Sequence, residues 1–154
     1  MNIPDDLCIG DILLYNTTSL INEVIDWKTG DLVAHVEIYV GGGQSVASRN
    51  GIGVGQYPFR PDGLVKVRRP VVPLNYEFAG NWFNHIKGMQ YDYEGLLACF
   101  NMDKTDGSFI CSTFASMYFK IGKSPMFADD YLDAKVVPRD FVVTRMATTI
   151  WSVH

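Results

Sequence analysis

The sequence predicts one α+β domain in which a small antiparallel sheet packs against helices, and three observations predict it. Short β-branched runs end at glycine or proline, as in Asp31-Leu-Val-Ala-His-Val-Glu-Ile-Tyr-Val-Gly41, which stops at Gly42-Gly43. Other stretches space their apolar residues as a helix does, most clearly from Cys111 to Lys120. No repeat, low-complexity tract or linker divides the 154 residues, and a hydrophobic share of 47% supplies the core of a single domain over 1–154.

Asp11 to Tyr15 reads as the first strand. Thr18 to Trp27 reads as a helix, with Leu20, Ile21, Val24 and Ile25 on one face, Thr17 or Thr18 as cap and Gly30 as its end. The His35 strand follows, and a glycine hairpin leads into Gln44-Ser-Val-Ala-Ser48. Because no helix follows Gly41-Gly42-Gly43, this is a turn and not a phosphate cradle. A further strand runs from Gly63 to Arg69, closed by Pro70 and Pro73; its Lys66, Arg68 and Arg69 form the only tight basic cluster and read as an exposed strand edge. Helices are expected from Tyr76 to Lys87 with Gly88 as stop, from Glu94 to Phe100, and from Cys111 to about Lys120 with Gly122 at the C-terminal cap. The last strand is expected at Phe141 to Arg145.

A formal charge of −4 offers no Lys/Arg field, which excludes a general nucleic-acid or anionic-membrane surface. No run approaches the ~18 apolar residues of a transmembrane segment, and the start Met-Asn-Ile-Pro-Asp-Asp has no signal-peptide pattern, so synthesis in the cytoplasm is expected, and a substrate outside would require carriage by a lysis pore, a secretion system or a virus particle. Three cysteines without a secretion signal do not make a disulfide framework, and Cys8 and Cys99 read as packing residues. With no Cys-x-x-Cys, no His-x-x-x-His and no carboxylate comb, neither a metal nor a cofactor is expected.

The chemistry rests on two residues. Cys111 opens an apolar helix just after the turn Asp106-Gly107-Ser108, where a helix start favours a thiolate. His35 stands near the start of a strand, whereas His85 lies among Trp82, Phe83, Asn84 and Lys87 and His154 is the terminal residue. A cysteine nucleophile with a histidine that keeps it ionised, and then protonates the leaving group, is what a thiol hydrolase needs. Ser112 has no Gly-x-Ser-x-Gly elbow around it and is not the nucleophile.

Four segments carry a resemblance over nearly the whole chain: Gly10-Asp-Ile-Leu-Leu-Tyr15, His35-Val-Glu-Ile-Tyr-Val-Gly41, Tyr91-Asp-Tyr-Glu-Gly-Leu-Leu97 and Phe109-Ile-Cys-Ser-Thr-Phe114. In that order they resemble circularly permuted NlpC-type papain-like cysteine hydrolases, the YiiX-like group related to lecithin retinol acyltransferase. The later Val136-Val-Pro-Arg-Asp-Phe141 resembles the Pro-Asp stretch that follows the Cys helix there. Ordinary NlpC-type peptidases have the Cys helix first; the permuted group has the His strand first, as here. The resemblance implies a papain-like fold and the hydrolysis of an amide or ester bond through an acyl-enzyme.

It also implies an oxyanion donor pair, for which the backbone N–H of Cys111 is one candidate and the hydroxyl of Tyr91 the other; the alternative for Tyr91 is packing beside Tyr93. In the relatives a polar residue about a dozen positions after the His orients the imidazole. Here that region reads Ser45-Val-Ala-Ser48. Glu37, two residues beyond His35 and so on the same strand face, offers a replacement; the alternatives are a solvated strand Glu, orientation by Ser48 or Gln44, or a dyad with no third group. A peptidoglycan stem peptide is the foremost substrate by resemblance. An acyl lipid is the second, with Pro125-Met126-Phe127 as pocket lining, and an idle binding or particle component is the third.

Overall fold

A computed structural model of the chain describes residues 3–16, 33–49, 52–88, 110–128, 136 and 138–153. The helices expected at 18–27 and 94–100, with Tyr91 and Cys99, lie outside the described residues. Six strands, β1 (Ile12–Tyr15), β2 (His35–Gly41), β3 (Gln44–Arg49), β4 (Gly53–Pro58), β5 (Leu64–Pro70) and β6 (Ala147–Ser152), form one sheet in the order β4-β3-β2-β1-β5-β6. Every neighbouring pair is antiparallel. With α1 (Tyr76–Ile86), α2 (Ile110–Ile121) and the single turn α3 (Asp140–Val143), this is an α+β architecture.

Strand alternation sorts the core into two layers. Ile12, Leu14, Val36 and Ile38 face the helices and meet Phe114, Ala115 and Phe119 of α2. Leu13, Tyr15, Leu64 and Val67 point the other way and are packed by Leu7, Tyr39, Phe59 and Trp151. Because β1 is buried on both faces, Ile-Leu-Leu-Tyr reads as a continuous apolar run and not as an alternating one. α1 starts where the Asn75 side chain accepts the Phe78 N–H at 3.1 Å, and Trp82 on it stacks over Phe114 with ring centroids 5.7 Å apart. Among the described residues no helix is long and apolar enough to cross a membrane.

Several expectations are corrected. The chain at 141–143 is α3, and the last strand, β6, begins only at Ala147. β4 was not anticipated, because Gly53, Gly55 and Pro58 dilute its strand signal. β5 is not an edge: it lies between β1 and β6, and its basic residues are divided. Arg68 is buried and donates to the carbonyls of Phe141, Thr144 and Ala147, and Arg69 grips Asp11 with two bonds of 2.9 Å. Cys8 is exposed, not packed.

α2 ends at Ile121 with Gly122 at its C-terminal cap, as expected, but Gly122 is not the residue in the left-handed conformation. Lys123, at φ 59°, takes the left-handed position, with its N–H on Lys120 and that of Ser124 on Phe119, a Schellman closure. Gly122 is needed for a different reason, since a Cβ there would overlap Leu74 Cδ1.

Candidate active site

His35 is the first residue of β2, paired across the sheet with Tyr15, the last of β1. Alternation along β2 then sets His35, Glu37 and Tyr39 on the face away from the helices. Cys111 belongs to the helix side, in the first turn of α2, which packs against β2 and β3. The two residues meet where β2 begins, and a side-chain hydrogen bond joins the imidazole to the thiol. Ser112, next in the helix, is fully buried and donates to Val136 O at 2.6 Å, which ties down the turn that presents Cys111.

Glu37 is fully buried and multiply bonded. Its Oε1 accepts His35 Nε2–H at 2.9 Å and Arg49 Nε–H at 2.9 Å, and its Oε2 accepts the Ser45 hydroxyl at 2.5 Å. The solvated-Glu alternative is therefore removed. With Nε2 given to Glu37, Nδ1 is the ring nitrogen left for the Cys111 thiol. Burial alone would raise the Glu37 carboxyl, but the bonds from His35, Arg49 and Ser45 outweigh it and hold the group down at about 2. Burial likewise works against an imidazolium, yet the hydrogen bonds to Cys111 and Glu37 lift His35 to about 9. Both partners are thus charged together at neutral pH.

Register explains this shell. Tyr39 lies opposite Ser45 and Ile38 opposite Val46, so Ser45, Ala47 and Arg49 share the Glu37 face, while Gln44, Val46 and Ser48 turn toward the helices. This overturns Ser48 and Gln44 as orienters. The same register sets Ala47 across from Glu37, so the neighbouring strand supplies a small residue beside the carboxylate. Arg49 is in turn supported by Tyr57, whose ring centroid lies 3.9 Å from the guanidinium carbon. That ring lies flat along β4, its hydroxyl donating to Gly53 O at 2.8 Å, because Gly55 leaves the room: a Cβ there would come within 2.9 Å of the Tyr57 hydroxyl.

The structure brings Cys111, His35 and Glu37 together, as the sequence led one to expect, and adds Ser45, Arg49 and Tyr57, which sequence reasoning did not single out. The hairpin Gly41-Gly42-Gly43, all at positive φ, was the available signal, since pairing back from it would have set Ser45 and Arg49 beside Glu37. Tyr91, the expected oxyanion donor, lies outside the described residues. His85 is exposed on α1, its Nδ1 bonded to Asn81 O at 2.7 Å. Met126 is core, and Phe127 packs edge-on against Phe141 at 5.1 Å, so both serve packing around α3. Comparison with known proteins finds no protein-family model that matches the chain and no curated protein that matches it.

Proposed function

We propose that this chain is a papain-like cysteine hydrolase of the circularly permuted NlpC type, with Cys111 as nucleophile, His35 as acid and base and Glu37 as the group that orients and charges His35. The observation that carries the reading is the position of His35 between the Cys111 thiol and the buried Glu37 carboxylate. Buried charge of this kind is costly unless it serves a purpose, and here three donors are spent on one carboxylate behind a histidine. The same shell argues against an idle binding module.

In the reaction the Cys111 thiolate adds to the carbonyl carbon of an amide or ester, and the carbonyl π electrons move to oxygen. The backbone N–H of Cys111, in the first turn of α2, donates to that oxyanion. As the oxyanion collapses the bond to nitrogen or oxygen breaks, and the His35 proton passes to the leaving group, which leaves a thioester and a neutral imidazole. Water then adds to the thioester, its proton going to His35. The C–S bond breaks, and thiolate and imidazolium are restored.

The foremost substrate is a peptidoglycan stem peptide. Incubation with isolated cell walls is expected to release peptides detectable by mass spectrometry, and incubation with phospholipid vesicles is expected to release no fatty acid. Cys111→Ala abolishes the release; full activity in that variant overturns the reading.

A further inference from the structure

Among the described residues Glu37 is the one anion that Arg49 meets. Its Nε–H reaches Oε1 at 2.9 Å, the oxygen that also accepts His35 Nε2–H at 2.9 Å, and its Nη2 is buried without a hydrogen-bond partner. A carboxylate oxygen offers about two good acceptor directions, so the imidazole and the guanidinium fill this one between them. The Tyr57 ring, which Gly55 admits, holds the guanidinium there.

Other groups face His35 and Glu37 as well. Cys111 of α2 bonds the imidazole, Ser45 of β3 bonds Oε2, Tyr15 of β1 sets its ring 6.0 Å from that of His35, and Arg60, just after β4, stands 3.9 Å from Oε1. Burial pushes the hydroxyls of Tyr15 and Tyr57 up, so neither carries a charge near neutral pH. The Arg60 side chain is 46% exposed and screened by water, whereas that of Arg49 is 20% exposed and within hydrogen-bond reach. Apart from His35, Arg49 is therefore the cation that acts most strongly on Glu37.

Two effects of opposite sign follow from the shared oxygen. A guanidinium beside Glu37 stabilises the carboxylate, which keeps the group that charges His35 ionised inside the protein. The same positive charge, one oxygen away from the imidazole, offsets part of the field by which Glu37 favours a proton on the ring. A ring made too basic is a poor general acid, because the leaving group must take its proton.

We infer that Arg49 is a positioning residue that acts through Glu37: its charge keeps the carboxylate ionised and in place while limiting how basic that carboxylate makes the His35 ring. The inference rests on the cysteine-hydrolase reading above and assigns the tuning of its acid to a guanidinium on the neighbouring strand.

The test is the titration of the His35 ring, read by NMR in the full-length protein. Arg49→Gln keeps a donor for Oε1 and removes the charge, and it is expected to move that titration upward by about half a pH unit or more. Glu37→Gln moves it downward, and this opposition of sign is something a merely structural role would not produce. Arg49→Lys restores the charge and is expected to bring the titration back toward that of the wild type. Should Arg49→Gln fail to fold, Arg49→Met carries the same expectation. A titration that stays or falls when the Arg49 charge is lost, or that Arg49→Lys leaves as high as Arg49→Gln does, overturns the positioning role and leaves the hydrolase reading standing. A wild-type Cys111 that reacts with iodoacetamide only once the pH reaches the free-thiol range near ~8.5 overturns that reading and this inference with it.

Discussion

Glu37 Oε1 receives His35 Nε2–H and Arg49 Nε–H at the same distance, 2.9 Å, so one buried oxygen couples the imidazole of β2 to the guanidinium of β3. His35 is thereby tied, through Glu37, to residues of the neighbouring strand. Much of what decides its ionisation lies behind it.

Glu37→Gln removes the charge while keeping the shape. The His35 pKa, raised to about 9 by the bonds to Cys111 and Glu37 against the effect of burial, is expected to fall by more than one unit in this variant. NMR titration of the His35 ring reads it. Turnover drops by at least ~10-fold, and more if the ring also loses its tautomer. An unmoved His35 titration would return Glu37 to a purely structural role.

Stability should carry the signature of the same pair. His35 is raised from 6.5 to about 9 on folding, so its contribution is whole below about pH 6.5 and is lost as pH climbs through 9. Glu37 is lowered from 4.5 to about 2, so its contribution is whole above about pH 4.5 and disappears as pH falls through 2. Both contributions are complete between about pH 4.5 and 6.5. Urea unfolding at pH 5.5, 7.5 and 9.5 is expected to show a decline on the alkaline side that His35→Gln removes. A decline of the same size in that variant would assign it to other groups.

What could be read from the chain follows from the range of each signal. His35 and Glu37 are two residues apart on one strand, and a period of two puts them on one face whatever the fold. Cys111 at a helix start is equally local. Ser45, Arg49 and Arg60 reach Glu37 only after a hairpin and a second turn have set the register, and no window of a few residues contains that. Arg68 misled for the same reason. Its basic neighbours suggested a solvated edge, while the carbonyls that hold it come from Phe141, Thr144 and Ala147, more than 70 residues away.

Arg68 should therefore matter to folding and not to chemistry. Arg68→Met leaves the carbonyls of Phe141, Thr144 and Ala147 without their shared donor, and the cost is expected at about 3 kcal/mol in urea unfolding. Arg68→Lys recovers little, because a single ammonium cannot span the positions that a guanidinium fork reaches. Cys111 alkylation in the fraction that remains folded stays at the wild-type rate. A loss below ~0.5 kcal/mol would mean that water replaces the guanidinium.

The end of α2 separates two reasons for which a glycine is placed after a helix. Gly122 does not hold the left-handed position; it lies against Leu74 Cδ1 and Ala79 Cβ, so Gly122→Ala introduces a methyl into filled space and should destabilise by about 2 kcal/mol. If the clash with Leu74 is the cause, adding Leu74→Ala makes room, and the double variant is less destabilised than the sum of the two single changes. Lys123, at φ 59°, is the residue in the conformation that glycine prefers, and Lys123→Gly should stabilise by roughly 0.5 to 1 kcal/mol. Thermal unfolding of the four variants checks both signs. An additive double variant, or a destabilising Lys123→Gly, would show that backbone conformation and packing at this cap have been assigned to the wrong residues.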